Sequence, residues 1–168
     1  MSIGSGVDTE RTVDRLWAAL DHPLLIATTA IGGVCAGCLV GFASQCSIDP
    51  QRFLVCVSDW KRTYRLAIRA DALAVHAISD EEADLAELFG GETGDDLDKF
   101  RRCSWSPGPG GVPILDRAPA WFVGSIAGTG DVGDHVAFLL APIAAELRRD
   151  FDPLPASSAI SLEPGQTA

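Results

Sequence analysis

From Leu24 onward the apolar residues of this chain come in short runs, and each run ends at turn-forming residues. Leu24 to Ala30, Cys35 to Ala43, Phe53 to Ser58, Ala72 to Ile78, Ala118 to Gly128 and His135 to Ala141 are too short for stable isolated helices and are bounded by Gly, Pro, Asp or Ser. Each reads as a β-strand. Gly32-Gly33 supplies hairpin turn chemistry between the first two. Gly37 and Gly41 mark bulges or close approaches. About six strands with few helices between them predict a mainly β, antiparallel domain that closes toward a barrel.

The helical pattern is peripheral. Val13, Leu16, Trp17 and Leu20 make one apolar stripe ahead of Pro23, with Thr9 as the expected N-cap. This stripe should cover the barrel or a partner surface. Thr63 to Ala70 and Ala144 to Arg149 read as short helices. Ser79 and Glu82 form a capping-box pattern before a third helix carrying Leu85, Leu88 and Phe89 and ending at Gly90-Gly91. Ser44 to Arg52, Gly91 to Arg102, Trp105 to Pro113 and Gly128 to Gly133 read as loops, and Phe53 to Ser58 as a strand buried on both faces. Residues 1–8 are expected to be disordered, 9–150 to form the domain, and 151–168 to be a flexible tail.

A net charge of −10 repels phosphate backbones and anionic lipid, which argues against nucleic-acid and membrane-surface roles. No apolar run approaches the roughly 20 residues of a membrane span, and the first ten residues lack the order of a signal peptide. The expected location is the cytoplasm. Five cysteines, an odd number, do not suggest a disulfide framework. Cys35 and Cys38 have metal-ligand spacing, but strand alternation sends them to opposite faces and no second ligand pair follows.

Three clusters can carry chemistry. Ser44, Gln45, Cys46 and Ser47 offer small donors at a strand end, where a ligand's oxygens could be met without steric cost; a capped turn is the plainer reading. Lys61 to Arg65, with Lys61, Arg62 and Thr63 at its head, is the most basic segment of an acidic chain and suits a single phosphate group, or else a solvated face. His135 follows Gly133-Asp134 at the head of a strand, where a barrel mouth would hold a ligand. No nucleophile elbow and no paired catalytic carboxylates are present, so difficult chemistry would fall to a cofactor.

Taken in order, Leu24 to Thr29, Gly37 to Pro50, Phe53 to Ser58 with Arg62-Thr63, Asp84 to Phe89, Trp105 to Leu115, Ala120-Trp121 and Gly133 to His135 resemble the flavin reductase-like family. The resemblance covers most of the chain. It implies a Greek-key split β-barrel that binds FMN, or FAD, near the interface of a homodimer. It implies NADH or NADPH as electron donor and a monooxygenase as partner, with a flavin carrier as the alternative and a deazaflavin left open. By position, the family's flavin loop falls on Ala43, Ser44, Gln45, Cys46 and Ser47, and its phosphate side on Ser58, Lys61, Arg62 and Thr63. Its Gly-Asp-His falls on Gly133, Asp134 and His135, which puts His135 on the nicotinamide side. Gln45 stands where a small hydroxyl is commoner, and Asp59-Trp60 where relatives are small, polar or basic.

Overall fold

Strands β1 (Leu25–Ile31) and β2 (Val34–Val40) form a hairpin closed by Gly32 and Gly33, whose φ angles of 55° and 80° fit a turn with two left-handed residues. The computed structural model describes residues 6–91 and 98–161. Two more hairpins follow the same plan. β3 (Ala43–Ile48) pairs with β4 (Gln51–Ser58) across a turn containing a cis Asp49-Pro50 bond, and β8 (Ala120–Asp131) pairs with β9 (His135–Leu147). β5 (Ala72–Ala77) bridges β1 and β8. The result is a seven-stranded antiparallel sheet ordered β2-β1-β5-β8-β9-β4-β3. A two-stranded ribbon of β6 (Trp105–Pro107) and β7 (Pro113–Leu115) forms a separate sheet packed against it.

Alternation sorts the side chains. Ala27, Leu73, Val75, Val55, Val57, Val136, Phe138 and Leu140 form the inner core. The sheet curls so that β2 approaches β4, and α2 (Arg62–Ala67) packs on β1, β2 and β4. On the other face Ile26 and Ile78 meet Leu85, Ala86 and Phe89 of α3 (Ala83–Gly91), while Ala74 and Val123 meet Val112 and Ile114. α3 comes close at Gly37: a Cβ there would lie 2.7 Å from the Phe89 ring. The capping box is present, with Ser79 N–H and hydroxyl both donating to Glu82 Oε2 at 2.9 and 2.8 Å.

Several expectations are corrected. Ser44 to Ile48 is a strand, not a loop: as the outermost strand it is exposed on both faces and shows no apolar alternation. The helix expected at Ala144 to Arg149 is the continuation of β9, because pairing with β8 through Leu147 outweighs a helix-favouring composition. β8 also runs on through the expected Gly-rich loop to Asp131, leaving a tight turn at Val132 to Asp134 before β9 starts at His135 as expected. Trp105 to Leu115 contains the β6–β7 ribbon. In β4 only Val55 and Val57 are fully buried, so one face rather than two is covered.

At the ends, helix α1 (Gly6–Leu20) begins before Thr9, which lies inside it and is not its cap. None of α1 is buried: Leu16, Trp17 and Leu20 are 57%, 61% and 70% exposed. The C-terminal segment is docked as far as it is described. Leu24 N–H donates to Leu154 O and Leu154 N–H to Ile78 O, both at 2.8 Å, and Leu154 is buried. Residues 1–5, the rest of the expected tail, and most of the loop after Gly91 lie outside the described residues.

Candidate functional site: the outer face of strands β3, β4 and β9

Ser44, Ser47, Ser58 and His135 gather along one strip, but not at one point, whereas Ala43 and Gln45, opposite Val55 and Phe53, belong to the core side of the sheet. Ser44 pairs with Leu54 and Ser47 with Arg52 on β4, while Ser58 ends β4 and pairs with His135 on β9. At about 3.4 Å per residue, the two ends of this strip are about 20 Å apart. Residues directly opposite one another share a face. Val55 and Val57 point into the core, which leaves Ser58 and His135 on the outer side.

β3 holds the first group. It is the last strand of the sheet, so alternate backbone groups face away from any described strand. A bulge between Gln45 and Ser47 leaves Cys46 without a cross-strand partner. The hydroxyl of Ser44 donates to Gln45 O at 2.9 Å, and Gln45 Nε2 to Ser47 O at 3.2 Å. Gln45, Cys46, Ser47, Ile48 and Asp49 line a shallow depression. Exposed hydroxyl, amide and backbone N–H groups on an edge strand form a donor set suited to a ligand rich in carbonyl oxygens.

The second group sits past the end of β4. Lys61 is half-buried, and its N–H donates to Ser58 O at 3.1 Å. Arg62 opens α2 near Cys35 at the head of β2, where its charge acts on that thiol. Thr63 is buried, 2% exposed, so it faces the interior rather than the strip. Residue type alone could not reveal that burial.

His135 heads β9, and its Nδ1 lies 2.6 Å from Asp134 Oδ1. This bond holds the Asp134 carboxyl below its ordinary range. Asp134 therefore does more than cap a turn: it fixes the imidazole, with the other ring nitrogen turned away from it. The sequence reasoning missed two neighbours. Phe42, in the link between β2 and β3, lies 5.0 Å from the His135 ring, and His22 lies 5.9 Å from Phe42. No spacing pattern marks either residue.

Small donors on an edge strand, a basic segment beyond it and an imidazole beside an exposed ring fit a flat, polar-edged anion such as FMN. No cluster of metal-ligating side chains occurs among the described residues.

Residues 17–156 match the family described as flavin reductase like domain. The reductase subunit of a flavin-dependent monooxygenase from Rhodococcus jostii (strain RHA1) is 31% identical over 88% of this chain and 77% of its own length. The reductase subunit of a stachydrine N-demethylase from Rhizobium meliloti (strain 1021) is 32% identical over 60% of this chain and 44% of its own. An FMN reductase (NADH) from Stutzerimonas stutzeri (strain A1501) is 32% identical over 62% and 60%. The chain thus spans about half the length of some relatives it matches. Among solved structures, component B of a nitrilotriacetate monooxygenase from Mycobacterium thermoresistibile has the same fold, with a TM-score of 0.76 at 22% identity, covering 90% of this chain and 83% of that one. An NADH:FAD oxidoreductase from Streptomyces globisporus C-1027 has a TM-score of 0.76 at 20% identity, covering 88% and 87%. The antiparallel sheet and these matches agree, and the chain belongs to the flavin reductase like domain family.

Proposed function

We propose that this protein is an NAD(P)H-dependent flavin reductase of the cytoplasm, binding FMN, or FAD, along the β3–β4–β9 strip. The observation that carries this reading is the edge strand β3, whose polar residues stand exposed at one end of a strip that has His135 at the other, in a family whose named relatives include an FMN reductase. FMN, when bound, accepts the hydride of a reduced nicotinamide; the protein's task is to hold, orient and shield. Ser44, Ser47 and the β3 backbone donate to the ring's oxygens. Lys61 and Arg62 attract the phosphate, against the repulsion of an acidic chain. His135, steadied by Asp134, orients the nicotinamide and takes no part in hydride transfer.

A homodimer is part of this proposal. The exposed stripe of Leu16, Trp17 and Leu20 and the exposed Ile143 and Leu147 on β9 are apolar surfaces that a second copy can cover. The reduced flavin would serve an oxygenase, as the names of two relatives describe for their own systems. The test is direct. Purified protein should carry or bind FMN and oxidise NADH or NADPH only when flavin is present. Flavin binding without nicotinamide oxidation would make it a carrier, and no flavin binding would end this reading.

A further inference from the structure

Phe42 stands between the two halves of the strip. Its carbonyl accepts from Cys56 N–H at 2.9 Å, and Ala43 beside it begins β3. Cys56 pairs with Ala137 two residues before Ser58 pairs with His135, which brings Phe42 alongside the His135 ring. Phe42 is 55% exposed, and its ring lies against two imidazoles while much of its surface stays open. His22 lies 5.9 Å away at a 49° tilt, and His135 lies 5.0 Å away at 60°. Such spacings and tilts are those of attractive aromatic pairs. His22 is itself anchored: its carbonyl accepts from Ala156 N–H at 2.8 Å. An exposed phenyl whose orientation is fixed by two braced neighbours is a prepared flat surface rather than a stray apolar residue.

We propose that Phe42 is the stacking surface for a planar heteroaromatic ring in this site, with His22 as a positioning residue that sets its tilt. The inference rests on the flavin reading above. A flavin and a nicotinamide both present such a ring, and stacking does not depend on their differing hydrogen-bond edges. The titrations below distinguish them.

Phe42→Leu keeps an apolar side chain and removes the ring; Phe42→Tyr restores a ring; His22→Ala removes one brace. FMN is titrated into each protein by quenching of flavin fluorescence, and KM for NADH is measured at saturating FMN. Phe42→Leu should weaken one of these ligands about twofold to tenfold, the range of a lost aromatic contact. Phe42→Tyr should restore it, and His22→Ala should weaken the same ligand by a smaller factor. A raised FMN Kd assigns the surface to the flavin; a raised KM for NADH with FMN binding unchanged assigns it to the nicotinamide. If Phe42→Leu leaves both values at wild type, the surface has no such role. If it instead alters the sedimenting mass, Phe42 is a contact between copies and the proposal falls. A wild-type protein that binds no FMN would overturn the flavin reading, and this inference with it. Should Phe42→Leu not fold, His22→Ala alone decides: no change in either ligand overturns the proposal.

Discussion

Leu115 N–H donates to Nε2 of His76 at 3.1 Å, which ties the β6–β7 ribbon to the main sheet through a fully buried imidazole. Because Nε2 accepts this bond, the proton of the neutral ring sits on Nδ1, which donates to Ile26 O at 3.0 Å. Burial pushes the His76 pKa down to about 4 from 6.5, against the opposing effect of the Ile26 carbonyl. The unfolded chain therefore binds the proton more readily than the folded one. Stability should be fully held above about pH 6.5 and decline as pH falls toward 4, by roughly 3 kcal/mol if the whole shift is expressed. Urea unfolding of wild type and His76→Gln at pH 7, 5.5 and 4.5 checks this. The variant should be weaker at pH 7 and show a shallower loss between those values; parallel curves would mean that His76 does not titrate in this window.

Arg62 carries the phosphate assignment now that Thr63 is seen to be buried. Losing a charge-assisted hydrogen bond costs about 1.5–3 kcal/mol, so Arg62→Ala should raise the FMN Kd about ten- to a hundredfold. Arg62→Lys should lie between the two. An unchanged Kd in Arg62→Ala would move the phosphate elsewhere on the strip.

His135→Ala should keep FMN affinity and lower kcat/KM for NAD(P)H about tenfold, equivalent to about 1.4 kcal/mol of transition-state binding. Asp134→Asn should give part of that loss, since the amide steadies the ring less well than the carboxylate at 2.6 Å. Steady-state kinetics of a folded, FMN-loaded His135→Ala with wild-type kcat/KM would make His135 structural.

Assembly is read by sedimentation at micromolar concentration. The wild-type protein should sediment at twice the mass of one chain. Trp17→Glu, placing a charge in a side chain now 61% exposed on α1, should shift it toward a single chain without lowering the unfolding temperature of that chain. A wild-type single chain that binds flavin would exclude the dimer.

The core strands were legible in the sequence because their neighbours impose a pattern on them. β1, β5 and the upper half of β9 have a buried face, and their apolar runs announce it. β3 was not legible, since an edge strand exposed on both faces is free to be Ser, Gln and Ser, the composition of a turn. The lower half of β9 reads as helix by composition, and only its partner Phe122 to Ala120 on β8 makes it a strand. Of the site, the polar segment at Ser44 to Ser47 and the Gly133 to His135 turn stood out. The burial of Thr63 and the approach of His22 to Phe42 depend on how distant segments meet, which local pattern does not encode.

The docking of Leu154 also bears on the order in which the fold is completed. Its two backbone bonds form a rung between Leu24, at the entrance to β1, and Ile78, at the exit of β5, and its side chain seats among Ile26, Ile78 and Leu85. During synthesis the first hairpin and α3 emerge long before residue 154 does. Until then that end of the apolar layer stays open to water, and closing it requires contacts distant in sequence, which are slow to form. The growing chain is thus exposed to non-native association at this end until the segment around Leu154 arrives, and a premature stop shortly before Leu154 would leave that exposure permanent.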